Sequence, residues 1–386
     1  MIKSTLQPGQ AAGRRWPVIV AGAGVAGAVV AHGLARRGVE VLLLEKRSHP
    51  RRKVCGGCLH PRGFAALEEM GLAGVPSLRD AGSLDAVVLS RAGRGAVRVP
   101  LGGEACFRAV DRAALDADLV DAAIGAGAQY IDRAQVLSSE VWDDGRRVAV
   151  RCEGRDLSLD ADLVVSCEGL TGVLARGAGL VVPARPLWRE KVGFSIEATG
   201  DVGVDLSAIA MLCEPWGYLG IVGMGAGRWH LAAAIRPEVL SGLGGAVAAA
   251  RTALARHGLA GLSVEEESLS TSPTLTRVLR RRWAPRLLVA GDAAGYLEPI
   301  TGEGMTWAIA SASAVTEVAA FGWSEKVGPV YEALWQTRVA GMRRLVSLSA
   351  LALDRPAARG AALWALGASP MLRAWVGGLA TRQVPR

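Results

Sequence analysis

Three glycines constrain this chain more than any other feature. Gly22-Ala23-Gly24-Val25-Ala26-Gly27 follows the apolar run Val18-Ile19-Val20-Ala21 and opens a stretch, Ala26 to Arg37, whose pattern predicts a helix closed by Gly38. A short apolar run suits a strand buried on both faces of a parallel sheet. The first glycine permits a tight turn, the second lets backbone approach a pyrophosphate, and the third lets helix and strand pack closely. The helix N-terminus then favours the phosphate charge. Val39 to Glu45 reads as a second buried strand, completing a β-α-β unit of about thirty residues. Glu45 ends that strand, where a carboxylate can hydrogen-bond ribose hydroxyls. The bland alternative is a glycine-rich turn in an alanine-rich region, and the strand before it and helix after it argue against that.

At 386 residues the chain exceeds what one core usually serves, so two interlocked domains with a terminal extension are expected. Hydrophobic residues at 51% and charged residues at 21% suit a globular chain and leave little room for disorder. The formal net charge of +8 comes from scattered Lys and Arg without any nucleic-acid motif. Nucleic acid is therefore not an expected partner, and the surplus favours anionic cofactors. Cysteines spread over so long a chain do not form a secreted disulfide framework, which implies a reducing, cytoplasmic compartment. Arg14-Arg15 before an apolar stretch could pass for a twin-arginine signal, but the stretch is interrupted by Gly22, Gly24 and Gly27, which the mature protein would need. No other segment offers the roughly twenty uninterrupted apolar residues that span a bilayer. Residues 1 to 15 read as a flexible leader, with the fold beginning at Trp16.

The Rossmann unit alone leaves NAD and FAD both open. A second segment is Gly291-Asp292-Ala293-Ala294-Gly295, after the apolar run Leu287 to Ala290, followed by Glu298-Pro299-Ile300-Thr301-Gly302-Glu303-Gly304-Met305. Pro299 shapes a turn, and Gly302 and Gly304 let backbone lie close to a flat ring. A helix beginning near Gly304 aims its positive end at that ring. The pair resembles the second FAD motif of glutathione-reductase-type flavoproteins related to para-hydroxybenzoate hydroxylase, and most of all the branch containing geranylgeranyl reductases. That resemblance implies FAD, with Asp292 on its ribityl or pyrophosphate portion, and NAD(P)H as electron donor.

Further matches extend over most of residues 17 to 320. Val165-Ser166-Cys167-Glu168-Gly169, continuing to Arg176, is similar to the middle Asp-Gly motif, with Glu168 for the usual Asp and Gly172 where Ser is common. Arg112-Ala113-Ala114-Leu115-Asp116 is similar to the Arg-x-x-Leu-Asp helix start, whose arginine lies near the flavin; a surface i,i+4 pair is the alternative. Lys53-Val54-Cys55-Gly56-Gly57-Cys58-Leu59 looks like the Cys-Gly-Gly stretch of geranylgeranyl-reductase-like proteins, implying a glycine turn beside the isoalloxazine ring with Cys55 facing the cavity as the candidate catalytic residue. Cys55 and Cys58 also form a C-x-x-C pair. Zinc needs four ligands, and neither a second pair nor an established spacing to His49 or His60 completes a site, so no metal is expected; a working dithiol is an alternative. Cofactor-binding residues are expected at Gly22, Gly24, Val25, Ala26, Gly27, Glu45, Lys46, Cys55, Gly56, Arg112, Gly291, Asp292, Pro299, Gly302, Gly304 and Met305.

Ser83 to Arg98 and Lys191 to Ile235 have the alternation of a half-buried antiparallel sheet. Within it Pro215-Trp216-Gly217-Tyr218-Leu219-Gly220 and Gly227-Arg228-Trp229-His230-Leu231 look like the substrate-sheet strands of the same branch. The resemblance implies that Trp216, Tyr218 and Trp229 wall the substrate pocket, and ordinary core aromatics are the alternative. Beyond Phe321 the text is helix-like and broken at Pro356 and Pro370. The tail from Arg343 to Arg386 caps the core, covers an apolar tunnel or lies peripherally on a membrane.

The expected architecture is α/β: a Rossmann-like FAD-binding domain with a parallel sheet, in parts 16–82, 105–182 and 283–330. It is interrupted by a substrate domain with a mostly antiparallel sheet in parts 83–104 and 183–282, and followed by a C-terminal helical region, 331–386. The expected activity is that of an FAD-dependent oxidoreductase on a hydrophobic small molecule. The Gly-Tyr-x-Gly strand inclines the reading to an NAD(P)H-dependent monooxygenase hydroxylating a lipophilic phenolic or polyketide-like molecule, with a reductase of isoprenoid double bonds as the alternative. A flavin halogenase is demoted because the Trp-x-Trp-x-Ile-Pro motif is absent, and an electron-transfer flavoprotein because its clustered cysteines are.

Overall fold

The computed structural model describes residues 1–93, 95–102, 106–183, 190–203, 205–296, 302–341 and 356–381. Five strands run parallel in the order Leu287–Val289, Arg155–Ser166, Arg15–Ala21, Val41–Leu44, Gln129–Ile131. Their apolar text follows from burial on both faces. Val18, Val20, Leu43, Leu163, Val165 and Leu288 pack on one side with the helices Val25–Ala35, Arg112–Gly125 and Gly304–Ala319. Ile19, Ala21, Leu42, Leu44, Val164 and Val289 pack on the other, under Val136, Val148, Val150 and Leu174. Each such Val or Leu contributes about 1.5–3 kcal/mol by leaving water. The first strand is flanked by the next strand in sequence on one side and by a much later one on the other, so a crevice opens at its C-terminal end.

Arg155–Ser166 is longer than its apolar core Leu163 to Ser166. Its first half alternates and pairs antiparallel with Gly145–Cys152, which pairs in turn with Ala134–Trp142. A seven-stranded sheet takes its strands from residues 86–100 and 192–274, in the order Ser263–Thr274, Val192–Thr199, Arg228–Ile235, Gly217–Gly225, Ala208–Glu214, Ala86–Arg91, Gly95–Pro100. All its pairs are antiparallel except that of Ala208–Glu214 with Ala86–Arg91. One face is covered by the helix Ala246–Arg256. Pro356–Ala368 and Pro370–Thr381 form two C-terminal helices, each with a proline at its first position, where no helical N–H is lost.

The leader is not loose, and the expectation of a flexible 1–15 is corrected. The first strand begins at Arg15, and Pro8–Ala11 is a short helix. Trp16 Nε1 donates to the Ala11 carbonyl at 3.1 Å, Ser4 Oγ donates to Asp132 at 2.8 Å, and the Thr5 amide donates to the Tyr130 carbonyl at 2.9 Å. The cause is the otherwise open edge at Gln129–Ile131, whose backbone the leader partly covers. Deleting residues 1–11 is expected to lower the thermal midpoint by roughly 5 °C, at about 2–4 °C per kcal/mol of burial lost. An unchanged midpoint by circular dichroism would show that the leader carries no stability.

Candidate cofactor and substrate site

The glycine turn is built by exclusion. A Cβ on Gly27 would stand 1.8 Å from the Gly22 carbonyl oxygen, so only glycine lets the helix Val25–Ala35 start so close to the strand. Gly22 adopts φ +97°, and a Cβ there would meet the Cys167 carbonyl oxygen at 2.5 Å. Gly24 caps the helix, and a Cβ on it would lie 3.4 Å from Arg51 Nη2, 3.6 Å from Arg112 Nη2 and 3.8 Å from Asp116 Oδ2. Gly22, Gly24, Val25 and Ala26 all line a large cavity.

Four charged side chains surround that turn. Glu45, buried at the end of its strand, accepts from the Ala23 amide at 2.9 Å and the Arg47 amide at 3.1 Å, and pairs with Arg51 at 3.1 Å. Arg51 reaches Asp116 at 3.6 Å, and Arg112 Nε donates to Asp116 Oδ1 at 2.6 Å. Burial alone would raise the Asp116 carboxyl, but Arg112 and Arg51 outweigh it and hold the group below its ordinary 3.8. Burial would depress Arg112, but Asp116 raises it above the ordinary arginine value. The Arg112–Asp116 pair is thus no surface pair. Arg51 Nε and Asp116 Oδ2 are buried without hydrogen-bond partners.

The second motif closes on the first. Gly291 adopts φ +62°, a Cβ on it would lie 2.8 Å from the Ala26 side chain, and its amide donates to Ser311 Oγ at 2.9 Å. Asp292 Oδ2 accepts from Lys53 Nζ at 2.9 Å. Gly302, Gly304 and Met305 line the cavity where the helix Gly304–Ala319 begins, and Pro299 lies outside the described residues. Lys46 lines the cavity rim and donates to Thr171 Oγ1 at 3.2 Å. Arg277, buried, donates to the carbonyls of Ala293 (3.1 Å), Leu170 (2.6 Å) and Gly172 (3.1 Å), tying the middle loop to the second motif. Glu168 accepts from Ser166 Oγ and from the Val173 and Leu174 amides. A Cβ at 172 would stand 2.9 Å from Glu168 Cβ and 3.2 Å from the Gly169 carbonyl oxygen. Sequence reasoning missed Arg51, Lys53 and Arg277, whose only signal was a basic run, Arg51-Arg52-Lys53, after Glu45 and an isolated arginine before the second motif.

Cys55, Gly56 and Cys58 line the same cavity. His230 Nε2 donates to the Cys55 carbonyl at 2.9 Å, and a Cβ on Gly57, at φ +71°, would touch the His230 ring at 3.0 Å. Burial, with Cys55 beside it, pushes the Cys58 thiol up to about 12, which keeps it protonated. The cavity, about 1700 Å³, exceeds the roughly 300–1,000 Å³ of ordinary ligand sites. It runs from the charged turn to a chamber lined by Val87, Leu89, Leu101, Ile209, Met211 and Tyr218 and closed by Leu363, Leu366 and Val376 of the C-terminal helices.

Of the three aromatics expected to wall the pocket, Tyr218 alone lines this cavity. Trp229 is buried in the core beneath the helix Ala246–Arg256, its indole N–H donating to the Gly200 carbonyl at 2.9 Å, and it borders only a small separate cleft. Trp216 packs against that same core. Strand parity is the reason: Trp229 pairs with Gly223, odd-numbered like Leu219 and Ile221, which face the helix, whereas Tyr218 and Gly220 face the cavity.

A family model described as an FAD binding domain matches residues 15–199. Digeranylgeranylglycerophospholipid reductase 2 of Methanopyrus kandleri is 28% identical over 327 residues, covering 78% of this chain and 76% of that protein. Menaquinone reductase of Mycolicibacterium smegmatis is 27% identical over 375 residues, covering 89% and 85%. A triple mutant of the flavin-dependent brominase Bmp2 shares the fold, with a TM-score of 0.78 over 96% of both chains at 14% identity. The chain is thus an FAD-dependent oxidoreductase, and it resembles the para-hydroxybenzoate hydroxylase and geranylgeranyl reductase superfamily.

The residues present fit the cofactor. The turn at Gly24 leaves the space of a side chain open before the helix N-terminus, beside the guanidinium groups of Arg51 and Arg112, which suits a pyrophosphate. Gly24→Val is therefore expected to abolish FAD retention, read as loss of the flavin bands from the purified protein; bands at wild-type occupancy would count against this site. Because the Asp116 carboxyl is depressed in the folded state, its contribution is complete above about pH 4 and is lost as pH falls through the folded value. Bound flavin should accordingly stay constant from pH 7 down to about 4 and be released below that, and release centred near neutrality would contradict the assignment.

Proposed function

We propose that this oxidoreductase transfers hydride to a carbon–carbon double bond of a lipophilic, isoprenoid-type substrate, with NAD(P)H as the electron donor. The observation that carries this reading is the single cavity joining the charged cofactor pocket to a chamber of aliphatic side chains. Two relatives that span most of the chain support it, being named as reductases of a digeranylgeranyl lipid and of menaquinone.

Bound FAD supplies the two-electron carrier and the hydride. The protein's part is binding, orientation and proton supply. The amides of the Gly22–Gly27 turn, with Arg51 and Arg112, would hold the pyrophosphate, and Glu45 would hold the adenosine ribose. Asp292, paired with Lys53, would hold the ribityl side, and Gly302 and Gly304, which line the cavity without side chains, would leave room for the ring. The aliphatic chamber excludes water. Saturating the bond consumes one hydride and one proton, and we assign that proton to Cys55, which lines the cavity and whose backbone carbonyl accepts from His230.

A second reading, hydroxylation of a lipophilic phenolic or polyketide-like molecule, is favoured by Tyr218 of the Gly217-Tyr218-Leu219-Gly220 strand, which faces the chamber. Anaerobic NADPH addition followed by air separates the two. Slow reoxidation, with a gain of two hydrogens per double bond in a geranylgeranyl substrate, is the expected result. Rapid reoxidation with oxygen incorporated into a phenol would replace the first reading by the second. Cys55→Ser should keep FAD and lower turnover about a hundredfold, and unchanged turnover removes Cys55 from the reaction.

A further inference from the structure

We infer that a polar cleft beside the cofactor cavity is the path by which the reaction's proton enters from solvent, ending at the turn that carries Cys55. Either flavin reaction needs that proton. Saturating a double bond takes one hydride from NAD(P)H and one proton, and hydroxylation by oxygen takes the same hydride and proton while releasing water. The inference rests on the reading of a flavin oxidoreductase and not on the choice between the two reactions.

The seven-stranded sheet turns one face to the cavity, and that face changes character along its strands. In Val192–Thr199 every second residue points the same way: Gly193, Ser195, Glu197 and Thr199. Gly193 lines the cavity, Ser195 and Glu197 line the cleft, and Thr199 is exposed. The neighbouring strand Ser263–Thr274 repeats the order with hydroxyls. Ser272 lines the cavity, Ser270 lines both spaces, and Ser268 lines the cleft. Ser195 stands opposite Ser270, and Glu197 opposite His230. Opposed side chains on one face are about 4.5–5.5 Å apart at Cβ, a gap that one water bridges. The track leads from Glu197 at the mouth, its side chain 42% exposed and paired with Arg52 at 3.5 Å, to hydroxyls at the cavity.

Burial separates this cleft from the ordinary wet rim of a sheet. Ser195 is 3% exposed and Ser268 5%. Ser268 has a structural task, accepting from the Glu197 amide at 2.7 Å and donating to the Glu265 carbonyl at 2.6 Å. Ser195 Oγ makes no hydrogen bond to another described residue. A buried hydroxyl in that state costs free energy unless water reaches it. The cleft, about 40 Å³, exceeds the roughly 10–15 Å³ that one water needs, and its hydroxyls and carboxylates supply the partners. Those carboxylates, Asp111 and Glu197, disfavour a phosphate in the same place.

The inner end meets the Cys55 turn. His230 borders the cleft, and its Nε2 donates to the Cys55 carbonyl at 2.9 Å. Burial holds the imidazole below its ordinary 6.5, against the pull of Glu197 and Asp111, so the ring is neutral near pH 7 and keeps Nδ1 as an acceptor. Lys53, Arg112 and Ser270 line cleft and cavity alike and form the partition between them.

Reoxidation of the reduced flavin by air tests the path with no substrate, because hydrogen peroxide forms from oxygen with one hydride from the flavin and one proton from solvent. The full-length, FAD-loaded protein is photoreduced without air and mixed with aerated buffer in water or heavy water, and the return of the flavin bands is timed. Ser195→Val fills the floor of the cleft. It should keep the flavin spectrum, slow reoxidation roughly tenfold or more, and enlarge the solvent deuterium effect. Reoxidation at the wild-type rate, or slowed with an unchanged deuterium effect, overturns the inference. Should that variant fail to hold flavin, Glu197→Gln decides: a slowed rate restored by added imidazole upholds the path, and a wild-type rate, or a slowed one that imidazole leaves untouched, overturns it. A wild-type protein that takes up no FAD overturns the oxidoreductase reading itself, and the path with it.

Discussion

No side chain fits between the first strand and the helix that follows it. That exclusion, at Gly22 and Gly27, brings the start of the helix Val25–Ala35 against the end of the sheet, and the rest of the site is arranged around the resulting gap. Glu45 arrives on the neighbouring strand, Arg51 from the segment after it, and Arg112 and Asp116 from a helix packed alongside. Two arginines facing a helix N-terminus would repel one another and the helix dipole; the two buried carboxylates offset this and leave a pocket suited to an anionic cofactor.

The second sheet works by a different rule. Its strands present alternate residues to a covering helix and to the cavity, so one face becomes a core and the other a cavity wall. The C-terminal helices complete the chamber, and their contacts are with the edge strand Gly95–Pro100 and with His60 rather than with the helix-covered side. The cofactor pocket and the aliphatic chamber are consequently one continuous space, in which polar groups are concentrated at the cofactor end.

Much of this was legible in the residues because the signals are local. A strand, a glycine turn and a helix are decided by neighbours in the chain, and Gly22, Gly24, Glu45, Gly291 and Asp292 all lie at the cavity, while Gly27 packs behind the turn against Gly22. What was misread needed knowledge of direction. Trp216 and Trp229 were assigned to the pocket by resemblance, although the register that pairs Trp229 with Gly223 turns it away from Tyr218. Residues 1 to 11 looked featureless because their partners, Tyr130 and Asp132, are far along the chain. The preference for hydroxylation over double-bond reduction rested on a short strand motif, Gly217-Tyr218-Leu219-Gly220, which describes one wall of the chamber and not the reaction.

By itself the sequence determined the class of fold and the kind of cofactor. Glycine spacing and apolar runs are requirements of backbone geometry and burial that few other arrangements satisfy. Only the tertiary structure decided which charges meet at Gly24, which aromatic side chain faces the chamber, and that the last two helices close it while presenting a bare apolar surface outward. Those outcomes depend on strand register and on contacts between residues hundreds of positions apart, and no local pattern in the chain encodes either.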